Sequence, residues 1–506
     1  MKSSFSLFSL ASLLLLVLTS CVQPFPEKEA WTLDVTPVVY SVTPTTTQTP
    51  LPQRTPFLPA TREPGKPMYS PTPNAPKVMP TLRTNEETYL VQMNDSLNLI
   101  ARQYGVDMNA IVSANQLMNP NYLEIGQALV IPPPDPDAKG PSFKIIPDSE
   151  LVYGPSGVGF DPYDLIYSFD SYLSSLDHSD EVVLQIARDY SVNPRILIAI
   201  LEYSTGWVTG PNLELEKPVN GQEPEKDAWR TGLVTILSRV ANSLNWGYYS
   251  WKENNLSYYI LSDGSYSPAD ETINAGTAAV QYWAGTIYGK ANWLNAISEN
   301  GIYRTYSNFF GFPFDFTYEP LIPSGIIQPE FILPFQRGVA WSFTGGPHPG
   351  WDDGSAWAAL DFAPPGSPMG CSVSGDWVTA VADGLIVRSE YGAVVQDLDG
   401  DGNEQTGWTV LYMHIAYWER VEEGTFLNAG DWIGHASCEG GVSTGTHLHI
   451  ARKYNGEWIS SVGEMPFVMS GFQPQSDGHA YNGYLVGNGA FIEAWAFYNP
   501  ESLVQH

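Results

Sequence analysis

Five of the eight histidines lie between positions 348 and 449: His348, His414, His435, His447 and His449. The sharpest spacing is His447-Leu448-His449. On a strand, residues two apart face the same way, so these two imidazoles enter one cavity. Upstream, His348-Pro349-Gly350 and Leu360-Asp361-Phe362-Ala363-Pro364 add a third imidazole and a carboxylate. Two His and one Asp make a donor set suited to a catalytic zinc ion, with the fourth position open to water. The chemistry of such a site is metal-assisted hydrolysis.

The elements that must position these groups are short strands. The stretches 377–382, 385–389, 408–414, 431–434 and 447–451 are rich in Val, Ile and aromatics, with Gly- and Asp-rich turns between them. That pattern predicts a mostly antiparallel β domain over 326–506.

Asp361-Phe362-Ala363-Pro364-x-Gly366, Val381-Ala382-Asp383-Gly384, Tyr412-Met413-His414 and Gly445-Thr446-His447-Leu448-His449 occur in that order. This set resembles the lysostaphin-like zinc endopeptidases. The resemblance implies one zinc ion held by His348, Asp361 and His449. It also implies two catalytic histidines: His447 as general base and His414 facing the developing oxyanion, with the reverse assignment open. His348-Pro349-Gly350-Trp351-Asp352 fits the family's His-x-Gly-x-Asp spacing literally, which makes Asp352 an alternative ligand. Asp361 is preferred because the residues after it continue as the family's strand does. A longer His-to-Asp interval also resembles the staphylolysin branch. His435, His479 and His178 are read as structural or exposed.

Asp397-Leu398-Asp399-Gly400-Asp401-Gly402-Asn403 places oxygen donors at alternate positions, as in a calcium loop, with Asp397, Asp399, Asp401 and Asn403 as candidate ligands. Trp408 stands at the twelfth position, where a bidentate Glu belongs, so a plain hairpin loop is the other reading. Cys371 and Cys438 either pair as a disulfide or stay as free thiols.

The N-terminal residues predict the compartment. An apolar run from Phe5 to Leu18 ends in Leu18-Thr19-Ser20-Cys21. It has the length of a secretory signal and resembles a lipobox, which implies a signal peptide over 1–21 and lipidation of Cys21. Residues 22–86 form a Pro/Thr-rich linker expected to be disordered and extended.

A small βααβ unit is predicted over 87–134. Tyr89-x-Val91-x-x-Asn94-Asp95-Ser96-Leu97-x-x-Ile100-Ala101, with Asn119-Pro120, Leu123 and Ile131-Pro132, resembles the lysin motif. The resemblance implies a glycan groove between two loops, formed by Asn94, Asp95, Ser96 and Leu97 on one side. Asn119, Pro120, Tyr122 and Leu123 form the other.

After a second linker at 135–160, residues 161–325 are predicted mainly helical. Val192 to Trp207 resembles the catalytic helix of lytic transglycosylases, which have a lysozyme-like fold. Ser204 falls where that family has its catalytic Glu, and Glu202 lies about 200° away around the helix. A serine hydroxyl cannot protonate a leaving sugar oxygen. The domain is therefore expected to be lysozyme-like in fold, inactive, and retained for glycan binding. Alternatives are a helical spacer, or Glu202 as a relocated acid.

The formal charge is −30, which argues against a nucleic-acid partner. The expected protein is a monomeric, envelope-anchored zinc endopeptidase cutting peptide bonds of peptidoglycan. Two other functions stay open: a non-catalytic wall-binding scaffold or hydrolase activator, and a glycan-cleaving enzyme using Glu202.

Overall fold

The computed structural model describes residues 77, 79, 82–135, 139–211, 228–366 and 370–506. The signal peptide, Cys21 and most of the 22–86 linker lie outside the described residues.

The lysin-like unit has the expected order: Glu87–Leu90, Leu97–Tyr104, Met108–Asn115 and Ala128–Ile131. Ser96 accepts from Leu99 N and caps the first helix; Gly105, at φ +60°, ends it. Asp107 does two jobs. It caps the second helix through Asn109 N and accepts from Tyr266 N of a hairpin in the next domain. Tyr258 of that hairpin donates to Arg102 O, so the unit is docked on the hairpin.

The middle domain is helical around Pro194–Thr205, whose residues Ile196 to Leu201 are all buried. Asn193 caps this helix and Pro194 occupies its first turn, where its missing N–H costs nothing. Ala228–Lys252 packs on Ala275–Ile287. The two approach closely at Gly247, where a Cβ would stand 2.7 Å from Ala279 Cα.

The predicted linker at 135–160 needs correction. From Phe143 onward it belongs to this domain. Ile145, Ile146 and Leu151 lie in its core. Buried Glu150 accepts from Arg195 at 3.1 Å and from Tyr306. The stretch is too short to show a period, so its apolar residues read as linker in the sequence. The segment at 273–277 holds it in place: Asn274 Nδ2 donates to Ile146 O, and Thr277 Oγ1 accepts from Ile145 N.

The C-terminal domain is built on a sheet of nine strands among the described residues, antiparallel at every pairing. Its central order is Gly384–Glu390, Ala393–Asp397, Trp408–Met413, Leu448–Tyr454, Ala359–Ala363 and Trp341–His348. Several strands are buried along their whole length, as expected of a sheet covered on both faces. One face carries Phe343, Leu360, Phe362, Val410, Tyr412, Leu448 and Ile450 into the domain's own core. The other presents Ala359, Val395, Leu411, Ala451 and Trp458 to the helical domain, in one continuous core.

Buried charges cross that boundary. Arg388 donates to Asp189 of the helical domain at 2.7 Å and to Glu404 at 3.2 Å. Lys453 reaches Glu404 at 3.2 Å. Removing Asp189 leaves the buried guanidinium with Glu404 alone, a carboxylate it shares with Lys453. Asp189→Ala is expected to lower the unfolding free energy by about 2 kcal/mol in urea denaturation.

Candidate metal centre

One rung of the sheet assembles the site. Asp361 is registered with Gly345 on one side and His449 on the other, and His449 with Met413. Registered neighbours share a face, so Asp361 and His449 point into the same cleft. Gly345 leaves the space that Asp361 fills: a Cβ there would meet Asp361 Oδ2 at 2.5 Å. A register irregularity between Gly345 and His348 lets the strand deliver His348 as well.

His348 Nε2, His449 Nδ1 and Asp361 Oδ1 then converge. The two nitrogens are 3.0 Å apart, and each is 3.2 Å from the carboxylate oxygen. The opposite ring nitrogens are committed: His348 Nδ1 donates to Gly346 O at 2.7 Å, and His449 Nε2 to Gly350 O at 3.0 Å. A carbonyl can only accept, so the neutral rings carry their protons there. Three lone pairs therefore face one another, and buried Asp361 Oδ1 has no hydrogen-bond donor. Such an arrangement repels itself unless a cation sits among the donors. The residues fit a metal ion.

Two more imidazoles border the cleft. His447 Nε2 is 3.8 Å from Asp361 Oδ1, and its Nδ1 donates to Gly445 O at 2.8 Å. His414 follows the strand Trp408–Met413 at φ +66°, with its ring 4.5 Å from that of His447. Its Nδ1 donates to Glu439 O at 3.1 Å. Cys371 and Cys438 are bridged, with Cα atoms 5.6 Å apart, which pins the residue beside Glu439. Tyr481 stacks on His348 at 4.2 Å. It was missed in the sequence, because nothing marks a loop tyrosine 133 positions away as a neighbour.

Electrostatics follow from burial. Burial would raise Asp361, but positive charge on the neighbouring His348 and His447 outweighs it and holds the carboxyl well below its usual range, so the carboxylate is held ionised by cationic charge in the cleft. Burial, then His447 and His449, push His414 down to about 3. Burial lowers His449 too.

Residues 366–461 match the family model described as Peptidase family M23. Residues 89–132 match that of the LysM domain, and 144–321 that of the LasA N-terminal domain. Over 385 residues the chain is 24% identical to Protease LasA of Pseudomonas aeruginosa (strain UCBPP-PA14), covering 70% of this chain and 85% of that one. Over 190 residues it is 29% identical to the beta-lytic metalloendopeptidase of Lysobacter enzymogenes, covering 35% of this chain and 98% of that one. A solved structure of the M23 metalloprotease pseudoalterin, from the deep sea, is 23% identical; it covers 34% of this chain and 99% of its own, with a TM-score of 0.28. The chain is a metallopeptidase.

The M23 match takes in His414, His447 and His449 and begins downstream of His348 and Asp361. Asp352 stands apart from the cluster of His348, Asp361 and His449: its carboxylate accepts from Tyr190 Oη at 2.9 Å and from Asp353 N. His435 is buried between Trp377 and Trp418, while His178 and His479 are exposed.

Other sequence-derived sites fare differently. Asp397, Asp399 and Asp401 do come together. Yet Asp397 already accepts from the N–H groups of Asp399, Gly400 and Gly402, and Asn403 turns its amide onto Asp401. Burial and the neighbouring Asp397 push Asp399 up to about 6. Trp408 is buried in its strand.

In the lysin motif, Leu97 is only 3% exposed and belongs to the core, so it cannot line a groove. Asp95 and Asn119 accept from loop N–H groups, and Ser96 caps. Asn94 and Tyr122 are exposed, Pro120 and Leu123 partly so. Met93, Met118 and Ile125 on the same loops are also exposed, a feature the sequence motif did not single out. In the helical domain, Ser204 Oγ donates back to Ile200 O. Glu202 accepts from Val208 N, Thr209 N and Thr209 Oγ1, which commits its carboxylate to closing a loop.

A pH dependence follows for the metal-free protein. An unfolded His414 takes up a proton near pH 6.5, whereas the folded one resists to about 3. Stability is thus full above about pH 6.5 and is lost as pH falls toward 3. In chelator-treated protein, the denaturation midpoint should fall more steeply between pH 6.5 and 4 than it does in His414→Gln.

Proposed function

We propose that this protein is a zinc-dependent endopeptidase that hydrolyses peptide bonds in peptidoglycan stems or cross-bridges. The convergence of unprotonated His348 Nε2, His449 Nδ1 and Asp361 Oδ1 carries this reading. These three residues would hold the ion, through two imidazoles and a carboxylate, a donor set usual for catalytic zinc. Bound zinc supplies Lewis-acid polarisation of the scissile carbonyl and a more acidic water.

The chain's own groups do the rest. Gly445 O fixes the His447 proton on Nδ1, so Nε2 faces the cleft as the general base. Glu439 O does the same for His414, whose buried ring stays neutral until a proton reaches Nε2. A proton there gives an imidazolium facing the developing oxyanion. Tyr481 stacks on the His348 ring and supports its orientation.

The lysin motif would hold glycan through Asn94, Tyr122 and the exposed apolar side chains beside them. Lipid on Cys21 would keep the enzyme at the cell envelope. No helix among the described residues is long and apolar enough to cross a membrane. A lysozyme-like role for the middle domain is a proposal for its fold alone. The hydrogen bonds on Glu202 speak against glycan cleavage. The loop at Asp397 is favoured as a self-closed hairpin over a calcium site by its internal hydrogen bonds.

Purified protein should release new amino termini, and no new reducing sugars, from isolated sacculi. A chelator should abolish release and zinc should restore it. His447→Ala should lower kcat about 10²–10⁴-fold with metal content retained. Release that persists in both His447→Ala and His449→Ala, or under chelation, refutes the zinc peptidase and leaves a wall-binding scaffold.

A further inference from the structure

The loop that follows His348 is short and tightly closed. Gly350 N donates to Ala356 O at 3.0 Å, and Trp351 N to Ser355 Oγ at 2.8 Å. Its tip is strained, with Asp352 at φ +50°. The helical domain grips that tip. Asn242 Nδ2 and Trp246 Nε1 both donate to Asp353 Oδ1, at 2.6 and 2.9 Å. Gly354 N donates to Asn242 Oδ1 at 2.8 Å. The contact is flush, since a Cβ on Gly354 would meet Asn242 O at 2.3 Å. Tyr190 adds a bond to Asp352 and an edge contact on Trp351.

The same loop carries the acceptor that orients His449, because the proton on His449 Nε2 lies on Gly350 O. Partners of this kind fix the tautomer and ring direction of a metal-ligating histidine. We propose that Asn242 and Trp246, acting through Asp353 and Gly354, are positioning residues for His449. The helical domain thereby sets which nitrogen of His449 faces the metal and where it stands. This inference rests on the metal-ligand reading above.

Loss of the grip frees an exposed, strained loop to open locally. Gly350 O then no longer holds the ring. The burial of the loop's ends explains why its tip needs an outside hold: Gly350 packs under Trp458 and Ala358, whereas Asp352 and Asp353 face outward.

The test uses the full chain and zinc affinity, measured by competition with a chromophoric chelator. Asp353→Ala should weaken zinc binding about 10-fold and shift the visible absorption of the cobalt-substituted protein. Asp353→Asn should restore both, since its amide oxygen can accept the same two bonds. Trp246→Phe, which keeps the ring and loses one donor, should fall between. A purely structural contact predicts a lower melting midpoint with zinc affinity and cobalt spectrum unchanged, and that outcome overturns the proposal. Equal loss in Asp353→Asn and Asp353→Ala overturns it too. His348→Ala separates the two levels. If it binds zinc like the wild type, the metal reading itself fails. If it loses zinc while Asp353→Ala keeps it, only the positioning role fails.

Discussion

The structure depends on one rung of hydrogen-bonded backbone, Gly345–Asp361–His449–Met413. It fixes a carboxylate and an imidazole on adjacent strands at the spacing of a sheet, about 5 Å. The remaining groups are brought to that rung by departures from regularity. A register shift delivers His348, and a left-handed residue after the strand turns His414 inward. Gly345 contributes by having no side chain, since any Cβ would occupy the space of the Asp361 carboxylate. Rigid strands thus hold two of the donors, and irregular backbone aims the others.

Side-chain alternation then divides the sheet between two tasks. Odd-numbered positions of the strand at 448–454 include His449, Ala451 and Lys453, and even-numbered ones include Leu448 and Ile450. The even set fills the domain's own core. The odd set runs from the metal cleft, through small residues under the helices, to the buried charges at Glu404 and Arg388. The face that does chemistry is therefore also the face that the helical domain covers. Helix residues Asn242 and Trp246 reach the rim of the cleft for that reason.

Much of this was legible in the sequence. His447-Leu448-His449 implied a shared direction for two imidazoles, and runs of Val, Ile and aromatics between Gly- and Asp-rich turns marked the strands around them. Ser96 and Asn193 are of residue types that cap helices, and the structure shows both in that place. The choice between Asp352 and Asp361 rested on strand continuation, and the structure brings Asp361 to the histidines. What could not be read has a common cause. Tyr481, the grip on Asp353 and the sharing of one sheet face between domains are contacts between distant segments, and no local pattern encodes them. Residues 143–160 were taken for linker because a short apolar run has no period to display. Leu97 was assigned to the groove because a loop motif does not reveal which of its side chains turns inward.

Family boundaries at 321 and 366 suggest separable cassettes. The continuous core beneath the sheet contradicts that picture. Severing the chain between the two domains would expose Val395, Leu411, Ala451 and Trp458 to water and take Asp189 from Arg388, leaving it Glu404 alone. In a truncated C-terminal fragment, loss of activity would therefore not separate an uncovered sheet from lost chemistry.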